Sequence, residues 1–112
     1  MNDSPEHDWK HMRALQKTLL NRLSERFNKE FVGVLQDSEL SQHERYLKTY
    51  SAIHEADKDV SAAFDDWRRS TITHRIAEIT RLDLFTEEDI QGFSSATRER
   101  IELYRSRFNK NT

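Results

Sequence analysis

The chain has 112 residues, 34% of them charged against 35% apolar, and a formal charge of −2. That is leaner in apolar residues and richer in charge than an average globular protein, and two Gly and one Pro offer little turn chemistry, so a single domain of a few long helices follows. Cysteine is absent, which excludes disulfides and thiol redox chemistry, and the near-neutral charge excludes a global basic field for nucleic acid or anionic membrane.

Ser4-Pro5-Glu6 is a helix start: a hydroxyl N-cap, proline at the first helical position and an acid at the positive end of the dipole. Trp9, Met12, Leu15, Leu19, Leu23, Phe27, Phe31 and Val34 then advance by threes and fours along one helical face. The spacing predicts a helix from Pro5 to between Lys29 and Leu35. Polar Gln36 to Glu39 forms the turn, and Ser41-Gln42-His43-Glu44 matches a capping box. This second helix should pack antiparallel to the first, because the connection is short.

Tyr46, Tyr50, Ile53, Val60, Phe64 and Trp67 give this central rod the a/d rhythm of a packing seam, broken at Asp57 by a charge. Beyond Trp67 the apolar face rotates to Ile72, Ile76 and Ile79. The rod either breaks near Ser70 or continues to about Arg81. No Gly or Pro forces a break, so continuation is expected, and a rod of about 40 residues would span roughly 60 Å. One small domain can hardly cover that length, which favours a homodimer. The rod ends at Leu82 to Phe85. Thr86-Glu87-Glu88-Asp89-Ile90 begins a short helix, with Phe85 stapled to Ile90, and Gly92 stops it. Ser94 or Ser95 caps a last helix with an inner stripe of Ile101, Tyr104 and Phe108. Fraying is expected at residues 1–4 and 109–112.

His7 and His11, four apart beside Asp8, have a spacing that two metal ligands can use, but completing ligands are missing and a solvated pair is the simpler reading. His54 and Asp57 could form a pH-sensitive latch, and Asp57 could fix register at a seam; the plainer reading is that Asp57 faces water. Asp65 is within helical reach of Arg68 and Arg69, and Asp66 of Arg69. Trp67 reads first as core and second as an interface anchor. No nucleophile sits in a motif and glycine is too rare for a phosphate-cradling loop, so neither an enzyme, a metal protein nor a cofactor binder is expected.

The sequence therefore describes an all-α fold: a small bundle of two long antiparallel helices plus a shorter C-terminal helical pair. The expected role is a protein–protein interaction or adaptor protein, homodimeric through Tyr50, Asp57, Phe64, Trp67, Arg68 and Arg69, with a protein partner still to be identified. The alternative is a nucleic-acid-binding regulator that adds Arg75, Arg98, Arg105 and Arg107 to Arg68 and Arg69. The longest aliphatic-rich run, Phe31 to Leu35, is too short for a bilayer, and no apolar leader follows Met1; a cytoplasmic, membrane-free protein is expected.

Overall fold

The computed structural model describes residues 4–108, and the expected fraying of residues 1–3 and 109–112 lies outside them. Helix α1 spans Pro5–Leu35, α2 Gln42–Phe64, α3 Ile72–Arg81, α4 Glu87–Gln91 and α5 Ser95–Phe108, with a 3-10 turn at Arg69–Thr71. The fold is all-α, built on two long helices packed together.

The caps explain the boundaries. Ser4 Oγ accepts from the His7 N–H, with Pro5 opening α1. α1 runs on through Gly33, which has open space around it, to Leu35. At the start of α2, Ser41 Oγ accepts from the Glu44 N–H at 3.1 Å and Glu44 Oε1 accepts from the Ser41 N–H at 2.9 Å. Arg45 Nε donates to the Asp37 carbonyl across the turn. Thr86 and Asp89 form the equivalent capping box of α4. Ser94, rather than Ser95, caps α5: its Oγ accepts from the Thr97 N–H and its carbonyl from the Arg98 N–H.

The expected continuation of the rod to Arg81 is not what forms. α2 stops at Phe64; Asp65 is extended and Asp66 sits at φ 59°, the left-handed region that Asp tolerates better than most residues. The last carbonyls of α2 then find donors beyond the break. Arg75 Nη1 donates to the carbonyls of Ala62 at 2.6 Å and Asp65 at 2.8 Å, and Trp67 Nε1 donates to the Ala63 carbonyl at 2.8 Å. Side chains thus do what a terminal glycine commonly permits at a helix end. α3 ends similarly on Asp83, at φ 54°, with the Leu84 N–H reaching back to the Ile79 carbonyl.

The core gathers at one end of the molecule. It joins Trp9, Met12, Leu19 and Leu23 of α1 and Ala63 of α2 to Ile72, Ile76 and Ile79 of α3, closed by Leu84, Phe85, Ile90, Phe93 and Ile101. Of the α5 stripe only Ile101 is fully buried; Tyr104 is half-buried and Phe108 exposed. The rest of the α1–α2 hairpin projects from this body. The molecule measures 57 × 29 × 21 Å with a radius of gyration of 16.8 Å, against about 13 Å for a compact chain of this length.

Candidate interaction surface

Along α2, Arg45, Thr49, Ala52, Ala56 and Ala63 are buried or half-buried. At about 100° per residue they fall within an arc of about 60°. From Thr49 onward the side chains on this face are small, and α1 packs along it. The stripe of Tyr46, Tyr50, Ile53 and Asp57 lies about 100° further round the helix.

That stripe is covered at one end only. Val60, Phe64 and Trp67 pack against the core, the last two with rings 5.8 Å apart and nearly parallel. Towards the hairpin tip the same face is open: Tyr46 is 63% exposed, Leu47 49%, Tyr50 56% and Ile53 48%. α3 has ten residues, about 15 Å of helix, and it cannot reach that far. Asp57 lies on the open part and is exposed.

The six residues expected to form one interface therefore divide. Tyr50 and Asp57 share the open face, whereas Phe64 and Trp67 serve the chain's own core. Arg68 pairs with Asp66. Arg69 forms a two-pronged pair with Glu6, 2.9 Å for each bond, and lies over the Trp9 ring. The helical pairs expected from Asp65 do not form, because the chain is no longer helical there.

The histidines also find other partners. His54 stacks on Tyr50, centroids 4.8 Å apart, and His43 on Tyr46 at 6.2 Å; His54 and Asp57 are both exposed and form no latch. His7 and His11 are half-buried rather than solvated. Their Nε2 atoms lie 2.8 Å from the Gly92 carbonyl and 2.7 Å from the Asp89 carbonyl. A carbonyl can only accept, so each Nε2 carries its proton and clamps α1 to the α4–α5 link. Among the described residues no group of three or more His, Asp or Glu could hold a metal.

Comparison with known proteins returns no matching family model, no curated relative and no solved structure. Function must be read from this chain's own surfaces. No described helix is long and apolar enough to cross a membrane.

The arginines proposed for nucleic acid are mostly engaged within the fold. Arg75 caps α2, Arg98 donates to the Phe93 carbonyl, and Arg105 pairs with Glu87 at 2.8 Å and Glu102 at 3.2 Å. The Glu87 contact holds the Arg105 guanidinium above its ordinary pKa. Phosphate neutralisation would have to compete with these bonds.

Two buried acids escaped the sequence reading. Asp8, 7% exposed, accepts from the Ser94 N–H at 2.8 Å, Ser94 Oγ at 2.8 Å and Thr97 Oγ1 at 2.6 Å. It ties the start of α1 to the start of α5, and with three donors on its oxygens it is no free general base. Its spacing to Met12, Leu15 and Leu19 puts it on the inner face of α1, the signal that could have found it. Asp89 accepts from Arg22 at 2.6 Å and from the Thr86 N–H at 2.9 Å. Burial alone would push its carboxyl up, but the Thr86 and Arg22 donors outweigh that and hold it below the ordinary value of 3.8.

Proposed function

We propose that this is an interaction protein, acting through the open face of α2 by associating with a second chain of its own kind. The observation that carries the reading is one stripe with two fates. Val60, Phe64 and Trp67 are half-buried against the chain's own core, while Tyr46, Leu47, Tyr50 and Ile53, a few turns along, are uncovered. Scattered exposed apolar residues need no explanation, but a contiguous patch at helical spacing marks a docking surface. Two tyrosines on such a patch supply large, rigid contact area. The fully engaged Asp8 and the clamping histidines serve architecture, so surface recognition accounts for more of the molecule than chemistry does.

Light scattering after size exclusion tests the reading, since it reports mass independently of the elongated shape. The expected mass is twice the chain's 13.4 kDa, at low and at high salt, because an apolar contact is little screened. Tyr50→Lys should reduce it to the single-chain value with unchanged helical content, since Tyr50 is exposed and lies outside the core. A wild-type protein of single-chain mass at every concentration accessible would overturn the proposal.

A further inference from the structure

The open face of α2 has a symmetry of its own. His43, Tyr46, Leu47, Tyr50, Ile53, His54 and Asp57 are all exposed and fall within an arc of about 120°. Their spacings, three, one, three, three, one and three residues, read the same from either end about Tyr50. No Lys, Arg or Glu between His43 and Asp57 falls inside that arc. The carboxylate of the stripe, Asp57, stands at one end, and an imidazole that can donate, His43, stands at the other.

Resting on the proposed self-association, we infer that the occupant of this face is a second α2, lying antiparallel about a two-fold axis beside Tyr50. In that register Tyr50 meets its own copy. Tyr46 on one flank meets Ile53, and Leu47 on the other flank meets His54. His43 faces Asp57 at both ends of the seam, because the contact is isologous and each pair occurs twice. The contact runs about 21 Å from His43 to Asp57. The partner helix sits about 130° round α2 from the face that meets α1, so α1 and the second copy occupy different sides. Asp57, which interrupts the apolar rhythm, then has a purpose: in this alignment it faces the His43 imidazole, which can donate to it, at both ends of the seam.

The chain contains no cysteine, so single introduced thiols report the register directly. Under mild oxidation Tyr50→Cys should lock rapidly to itself as a covalent dimer. His43→Cys alone should not, while His43→Cys refolded together with Asp57→Cys should give a mixed disulfide dimer. Charge reversal is the second test. His43→Asp and Asp57→Lys should each weaken the dimer by about tenfold, and the double variant should recover most of that loss. His43→Cys locking to itself, no disulfide in the His43→Cys and Asp57→Cys mixture, or no recovery in the double variant would overturn the register. In samples that light scattering shows to be dimeric, those results would leave self-association standing. A single-chain mass for the wild-type protein would remove both readings.

Discussion

Gly92 tests whether the packing of α1 on the α4–α5 link is as close as described. Its backbone is at φ −76° and ψ −10°, a conformation any residue adopts, so Gly92→Ala would by itself stabilise by about 0.4–1 kcal/mol through the unfolded chain. The neighbour reverses the sign. A Cβ at position 92 would lie 2.3 Å from His11 Cε1, 2.4 Å from Nε2 and 2.9 Å from Nδ1. The ring must move, breaking its 2.7 Å bond to the Asp89 carbonyl and its edge contact with Phe93 at 4.6 Å. Overpacking of this kind costs about 1–3 kcal/mol and the lost hydrogen bond about 1. The net is a destabilisation of about 2–3 kcal/mol, or a Tm lower by about 10–20 °C for a chain of this size. Thermal and urea unfolding followed by circular dichroism, at one fixed protein concentration, measure it. In a His11→Ala background the clash is gone and Gly92→Ala should become neutral or stabilising, a coupling of about 2–4 kcal/mol across the cycle. Equal effects of Gly92→Ala in both backgrounds would refute the reasoning.

Three further outcomes follow from the same geometry. Asp8→Ala strands the Ser94 and Thr97 donors in a buried site and should cost about 3 kcal/mol in urea unfolding; a loss under about 1 kcal/mol would show that water replaces the carboxylate easily. Arg75→Met leaves the carbonyls at the end of α2 without their donors and should cost about 2 kcal/mol, with reduced helical content at residues 60–64; an unchanged unfolding midpoint would mean the break at Phe64 is held by Trp67 alone. Asp89 has a lowered folded pKa, so its contribution is complete above the ordinary carboxylate range and is lost as pH falls through the folded value. Wild-type stability should therefore fall more steeply below about pH 4 than that of Asp89→Asn; parallel acid limbs would contradict the assigned hydrogen bonds.

Helix placement was largely legible because its causes are local. Ser4 with Pro5, Ser41 with Glu44, and Thr86 with Asp89 announce three helix starts, and each cap forms. The end of α2 was not legible in the same way. Its stop depends on Arg75 and Trp67 folding back onto carbonyls of residues 62, 63 and 65, and no Gly or Pro marks the spot. A guanidinium that reads as a free cation in the sequence is there a helix cap. Arg69, which reaches back to Glu6, and Arg22, which reaches forward to Asp89, are likewise not free cations but halves of ion pairs.

The amphipathic period of α1 and α2, the all-α class and the antiparallel hairpin were determined by the sequence itself, since periodicity, capping and a short turn are properties of neighbouring residues. Which part of a stripe is inside depends on where other elements run out of length, and that only the tertiary structure decided. One apolar rhythm from Tyr46 to Trp67 packs against the core at Phe64 and is open surface at Tyr50, because α3 is short and the body closes at one end of the hairpin. The burial of Asp8 and Asp89 was decided the same way: the Ser94 and Thr97 donors to Asp8 and the Arg22 donor to Asp89 lie dozens of residues away in the chain and come within hydrogen-bond distance only when α1 docks on α4 and α5, although the Thr86 cap on Asp89 is local.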